Sequence, residues 1–402
     1  MLRADNIRGL VNEHGIAGYL QIQADLLEGR ETPNGRKVTR RPDEFSIRAL
    51  WEGLVGPVEN TLAFAAGLNG SGYVEIEEAI SSTGFSSAIG QLLAAKLIEG
   101  YDSPGFIGDE LVTTMPSSLR GERLAGFTSL QGPKPVGELM QYEDSTFTDK
   151  FVGTRETKRG RLLSISEEAV VFDQTGQILL LASTLGEIAR QERERRIVRA
   201  VIDADSLETV YAPGGTGEQL YSSGNNNLTT GNTPLVDWTD IQEVMTFHAL
   251  NQTDDREPDD TLGAQPIAWM PRIILTATEL SGVAARIIAA TMIGTAPGDT
   301  SNVAMMTGNP LSMIGAGGMI ALSSPFIDNA TDGDQWDDAS DWLIGDFKKQ
   351  FIYKEIWPLQ VFRAPAQNEE QFNRDVVAQF KVREYGDVVA LDERWVMKVN
   401  AA

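Results

Sequence analysis

The chain has 402 residues, 42% of them hydrophobic and 23% charged, enough for two or three domains with ample core. Cysteine is absent, which excludes disulfides and Cys-ligated zinc or iron–sulfur centres. A formal net charge of -23 argues against free association with DNA or anionic membranes.

That charge is unevenly spread. From Val201 to Asp341, 20 acidic residues stand against 3 basic ones, Arg256, Arg272 and Arg286, a net charge of -17, and the rest of the chain is close to neutral. Such a step predicts a separate, solvent-exposed acidic domain. Met1 to Arg8 leads into no apolar stretch of signal-peptide length, and the apolar runs Ile178–Ala182 and Met319–Leu322 fall far short of a membrane span.

Taken in order, residues 1–74 read as an arm. Ile16, Leu20, Leu26 and Leu27 support at most short helices, Glu31–Glu44 is polar and locally basic, and a helical piece is expected over Phe45–Ala66. A better helix is predicted over Ser81–Tyr101, with Phe85, Ile89, Leu92, Leu93, Leu97 and Ile98 as its apolar stripe. Phe127–Arg161 combines two prolines and two glycines in QGPKPVGE with alternation around Phe147 and Phe151, yet has too few apolar residues for a sheet with a buried face. So long an excursion without a core reads either as a surface loop or as a two-stranded hairpin stabilised by a neighbouring molecule. Ser164-x-x-Glu167 has the form of a capping box opening a short helix.

Asp173–Asp203 is the longest stretch that reads only as helix. Leu181, Leu185, Ile188, Ala189, Val198, Val201 and Ile202 recur at three and four, and Glu192 and Arg196 are spaced as an ion pair. About 28 residues at 1.5 Å rise make a rod of roughly 40 Å, either a core-flanking helix or a spine with a charged end open to neighbouring subunits. Beyond it, Ala212–Asn232 is a Gly/Asn/Ser/Thr stretch, Thr239-x-x-Gln242 is expected to cap a helix bearing Ile241, Val244, Met245, His248 and Leu250, and Trp269–Thr276 reads as a strand entering a helix capped by Thr276. With the apolar run Met313–Ser323, these predict a small mixed domain around a sheet. Phe347–Asn400 reads as strands, two of them separated by a Gly386-Asp387 turn.

The residues offer little chemistry. His14 and His248 lack metal-binding companions, and no Gly-x-Ser-x-Gly elbow exists. Gly214–Gly217 has no following lysine for a phosphate loop, and Gly315–Gly318 lacks dinucleotide-loop spacing. Asp332, Asp334, Asp337 and Asp338 break the calcium-loop pattern at Trp336 and read as solvated surface. No cofactor, metal or catalytic residue is predicted, and the chain is not expected to be an enzyme. A polymer-acting hydrolase is the weakest alternative.

Several segments, coming in one order, resemble the HK97-type major capsid protein of tailed bacteriophages, nearest to the Mu-like head subunits: FSSAIGQLLAAKLIEGYD, GPKPVGELMQYEDSTF, KRGRLLSISEEAVVFDQTGQI, EQLYSSGNNNLTTGN and FNRDVVAQFKVREYGDVVALDERWVMKVN. The resemblance implies an α+β HK97-like capsid fold: an N-terminal arm (1–74), a peripheral domain (75–126, 162–204 with the spine helix, 345–402), an extended hairpin or E-loop (127–161) and an axial domain (205–344). It implies hexamers and pentamers closing into an icosahedral head around double-stranded DNA, made in the bacterial host cytoplasm and located in the virion. The alternative on the same fold is the shell of a protein-cargo nanocompartment. Expected inter-subunit contacts are Lys134, Glu138, Tyr142, Phe147, Arg155, Glu192, Arg195 and Arg196. Arg36, Lys37, Arg40 and Arg41 are the weak candidates for inner-surface DNA contact. A large cleaved prodomain is not expected. A separate scaffolding protein, a portal and decoration proteins are the further possible partners, with no membrane.

Overall fold

The computed structural model describes residues 4–30, 39–45, 47–54, 83–118, 123–127, 136–138, 140–141, 149–154, 156–166, 177–204, 219–230, 234–253, 266–290, 292–295, 305–309, 318–328, 336, 340–364 and 376–400. Six helices of eight residues or more are among them: α1 (Ala4–Glu28), α2 (Ile47–Leu54), α3 (Thr83–Tyr101), α4 (Gln177–Ile202), α5 (Trp238–Asn251) and α6 (Thr278–Ala289). The described strands are β1 (Thr113–Pro116), β2 (Arg123–Phe127), β3 (Asp149–Gly153), β4 (Thr157–Ser166), β5 (Leu228–Thr230), β6 (Ile273–Thr276), β7 (Met292–Thr295), β8 (Met305–Gly308), β9 (Ile320–Ser323), β10 (Trp342–Gly345), β11 (Phe351–Arg363), β12 (Val376–Ala390) and β13 (Val396–Asn400). The architecture is therefore α+β, as the sequence predicts.

Two compact units divide the chain. The first holds Met1–Pro104, Lys158–Glu192 and Pro358–Glu384. Its core joins Ile7 and Tyr19 of α1, Leu50 of α2, Ile89, Leu92 and Leu93 of α3, Ile178, Leu179 and Ala182 of α4, Ile165 of β4 and Phe380 of β12. The span α1 is two short helices that meet at a break at Gly15 (φ 72°), in keeping with the short helices expected there. The break shifts the helical register between Ile7 and Tyr19, so no single 3.6-residue pattern runs through the segment and periodicity under-reads it. Gln23 Nε2 on its inner face donates to the Ala88 carbonyl at 3.0 Å. Ser164 lies inside β4, and its Oγ accepts from Gln379 Nε2 at 3.0 Å, so it is no helix cap; the short helix expected beyond it lies outside the described residues.

The second unit holds Gly105–Thr157, Arg193–Trp357 and Tyr385–Ala402. It is built on a five-stranded sheet of order β5-β13-β10-β6-β9. β10 is antiparallel to both β13 and β6, while β5 and β9 lie parallel to their neighbours. Side chains alternate across it as strand geometry dictates. Ile274, Trp342, Ile344, Met397 and Val399 pack with Ile241 and Val244 of α5 and Ala284 and Ile287 of α6. Ile273, Leu275, Leu343 and Val396 pack with Ile197, Val198, Val201 and Ile202 from the end of α4.

Three expectations are corrected in this unit. The cap of α5 is Asp237, in a reciprocal box with Asp240, two residues ahead of the predicted Thr239. Thr276 sits within β6 and caps nothing, α6 starting after Ala277 without a side-chain cap. Gly386-Asp387 is no turn, because β12 runs straight through it. A Cβ at Gly386 would lie 2.7 Å from the Lys354 carbonyl oxygen and 2.9 Å from Tyr353 Oη, so this glycine serves close strand packing. The C-terminal strand β13 lies between β5 and β10 at the heart of this sheet. Residue patterning shows that a segment is a strand but not which strand it pairs with.

Candidate functional site

The excursion predicted between 127 and 161 is anchored by a two-stranded antiparallel ladder, β2 with β3, registered from Arg123 opposite Gly153 to Phe127 opposite Asp149. Glu138 is exposed, as are the apolar Val136 and Met140 beside it. Lys134, Tyr142, Phe147 and Arg155 lie outside the described residues. The base of the ladder holds a contact absent from the predictions. Lys354 Nζ in β11 lies 2.7 Å from Glu156 Oε1, an ion pair with both side chains wholly buried. Thr154 Oγ1 accepts from the same ammonium at 3.3 Å. Lys354 interrupts the apolar run FIYKEIW, and that interruption was the available signal; nothing in RETKRG marks Glu156 as buried.

On α4 the predicted contact residues separate. Glu192 accepts from Arg159 Nη1 at 2.7 Å, and Arg195 is exposed. Arg196 is buried within the chain: it donates to the Gly386 carbonyl at 3.2 Å and lies 5.9 Å from the Tyr353 ring. Its neighbour Arg193 stacks 4.4 Å over the same ring. Glu194, also buried, accepts from the amides of Ile107 and Gly108 at 2.8 to 2.9 Å and so caps the turn of helix at Gly108–Leu111. By contrast, the first half of α4 exposes Leu180, Leu181 and Ile188. An apolar face on a helix of a chain this highly charged is the mark of a contact surface.

The end of α4 carries a second buried charge cluster. Asp203 ends the helix in the left-handed region (φ 55°), and its Oδ2 accepts from the Leu220 amide. Tyr221 Oη donates to the Val201 carbonyl at 2.8 Å, and burial, with the Asp203 charge adding, pushes its phenol far up. Lys398 lies 6.0 Å from the Tyr221 ring and 5.4 Å from that of Trp336. Burial lowers its pKa against the opposing pull of Asp341 and Asp203.

The histidines have structural surroundings. His14 is 3.8 Å from Glu13 on the surface of α1. His248 is buried, stacked 3.9 Å from Trp269, with Nε2 at 2.9 Å from the Arg394 carbonyl, and burial holds its pKa below the usual range. Of the basic arm residues, Arg36 and Lys37 lie outside the described residues; Arg40 and Arg41 are exposed, and Arg40 is paired with Glu44. Asp332, Asp334, Asp337 and Asp338 also lie outside them. Among the described residues, no three His, Asp or Glu side chains are grouped to hold a metal, and no helix is long and apolar enough to cross a membrane.

Ionisable groups committed to internal contacts, together with apolar side chains left open on a hairpin and a helix, define a structural subunit that works through its surfaces. The chain belongs to the phage capsid protein family, whose model matches residues 152–399, from the end of β3 to β13. It is a structural capsid subunit of a virion. A chain from Mycobacterium phage Ogopogo is similar at 15% identity and TM-score 0.42, covering 74% of this chain and 92% of that one. One from Microbacterium phage Oxtober96 has 12% identity, TM-score 0.45 and coverage of 74% and 92%. One from the capsid of a native GTA particle has 12% identity, TM-score 0.43 and coverage of 72% and 87%. No curated protein matches the chain.

Proposed function

We propose that this chain is the major head subunit of a tailed phage with an HK97-type fold, assembling as hexamers and pentamers into an icosahedral shell around double-stranded DNA. The family match over 152–399 carries this reading, since it takes in the return of the hairpin, the spine helix α4 and the sheet in one continuous run. Residues 1–74 serve as the arm, 127–161 as the extended loop, 205–344 as the axial domain, and 75–126, 162–204 and 345–402 as the peripheral domain. Hairpin residues Lys134, Glu138, Tyr142, Phe147 and Arg155 and the spine residues Glu192 and Arg195 make the inter-subunit contacts. The Mu-like affinity rests on the order of the sequence segments. Synthesis is in the bacterial host cytoplasm, with separate scaffolding, portal and decoration proteins as partners.

Electron microscopy of the purified protein, alone and with its neighbouring gene products, tests this. Closed polyhedra or rings of six and five, with nuclease-protected DNA in particles from infected cells, are expected. A monodisperse monomer under every salt and partner condition would overturn it, and shells loaded only with protein would favour the nanocompartment. Exposed basic residues in the arm supply weak, non-specific phosphate contacts. Replacing Arg36, Lys37, Arg40 and Arg41 by Ser is expected to weaken DNA retention and make its dependence on salt shallower; unchanged retention would remove the arm from that role.

A further inference from the structure

The sheet of the second unit has two edges, β5 and β9, and among the described residues no strand pairs with the outer side of either. The edges differ in chemistry. Beside β5, a groove of about 770 Å³ runs between the strand and the outer face of α5, lined by Leu228, Thr230, Glu243, Phe247 and Leu250. Leu250 is 76% exposed. Glu243 is exposed too and makes no ion pair among the described residues. At the other edge, Ile320 opens β9 at 55% exposure, and its amide donates to the Arg272 carbonyl at 2.8 Å. Met270, two residues before Arg272, is 67% exposed. Arg272 is exposed and makes no ion pair among the described residues. It is one of only 3 basic residues between Val201 and Asp341.

One edge thus offers an apolar groove with a carboxylate, the other apolar side chains with a cation. Because they are opposite edges of one sheet, a single chain cannot bring them together. We infer that the β9 edge of one copy docks head-to-tail on the β5–α5 groove of a second copy, Met270 and Ile320 covering Phe247 and Leu250, and Arg272 facing Glu243. Docking like edge on like edge would set Glu243 against Glu243 or Arg272 against Arg272, which charge repulsion disfavours. β5 and β9 point the same way, since each is parallel to a neighbour that is antiparallel to β10. A head-to-tail contact leaves one edge of each type open on every pair, so it repeats from copy to copy and closes into a ring where the rotation between copies allows it. This contact rests on the capsid reading, and in that setting it runs around each capsomer.

Charge exchange tests it. Glu243→Arg and Arg272→Glu alone are each expected to lower the yield of closed particles by about tenfold, as loss and reversal of an interfacial ion pair should, while the double exchange restores it. Both side chains are exposed, so the melting curves should match that of the unchanged chain, and misfolding cannot produce restoration by the second change. Co-expressing the two single variants adds a geometric signature: copies must alternate, so rings of six form and rings of five do not, giving open sheets or tubes. Normal shells from both single variants, or no rescue by the double exchange, overturn the contact and leave the capsid reading standing. An unchanged chain that never assembles overturns both.

Discussion

Glu156→Ala would leave the Lys354 ammonium wholly buried opposite an empty space at the base of the hairpin. Breaking a buried pair from one side costs about 3–5 kcal/mol, whereas replacing both partners by apolar groups of similar size is often neutral or better. The urea midpoint of Glu156→Ala should therefore drop sharply, and Glu156→Leu with Lys354→Met should recover most of the loss. Equal loss in the single and double variants would show that packing, not charge, is what matters there. His248 offers a second residue-level test. In the unfolded chain its imidazole titrates near 6.5, while burial against Trp269 lowers its pKa in the fold. Unfolded molecules therefore bind more protons between these two values. The stabilisation is full above about pH 6.5 and is lost as pH falls through the lowered value. Burial alone would push nearby Asp392 up, but the hydrogen bond and charge of Arg394 hold it below its ordinary range, so it stays charged through this window. His248→Gln should flatten the decline of the urea midpoint between pH 7 and pH 5; an unchanged slope would assign the decline to other groups.

At the scale of elements, α3 and α4 meet backbone to backbone. A Cβ at Gly186 would stand 2.1 Å from the Leu97 carbonyl oxygen, and one at Gly100 would stand 2.2 Å from that of Ser183. Ala in place of a helical Gly gains about 1 kcal/mol of propensity, but overpacking costs about 1–3 kcal/mol. With rigid backbone as the neighbour, the upper end applies and the clash wins. Gly186→Ala should destabilise by about 2 kcal/mol in urea unfolding, and a rise in stability would mean that the helices separate freely. α3 and α4 were themselves legible in the sequence, since Ile89, Leu92 and Leu93, and Val198, Val201 and Ile202, repeat at helical spacing and are buried. What made them meet was not legible, because a glycine inside a helix reads only as lowered propensity. Gly386 misled for the same reason: glycine beside aspartate is a turn signal locally, and only the packed Tyr353 and Lys354 strand gives it another purpose. The candidate surfaces were half legible. Charge counting found the acidic stretch with its three arginines, but the groove beside β5 exists only once β13 pairs with that strand, a contact 170 residues away in sequence at Leu228↔Lys398.

For the whole molecule, the net charge of -23 sets the sign of the salt response. Bringing copies together concentrates like charge, above all in the stretch that carries 20 acidic residues and 3 basic ones. Against that field, the charged contacts proposed between copies are a few exposed residues, and exposed pairs contribute only about 0–1 kcal/mol each. Salt screens both terms, with a Debye length of about 30 Å at 0.01 M falling to about 10 Å at 0.1 M. The many-charge repulsion loses more by screening than these few pairs do, while the apolar contacts of Met270, Ile320, Leu181 and Ile188 are unaffected or strengthened. Assembly followed by light scattering should therefore be faster and more complete at 0.3 M than at 0.02 M sodium chloride. It should also improve at low salt when several acidic residues of the exposed surface, such as Asp237 and Glu279, are exchanged for Asn and Gln. Assembly that weakens as salt is raised would reverse the ranking, making ion pairs between copies rather than apolar contact the dominant force holding the shell together.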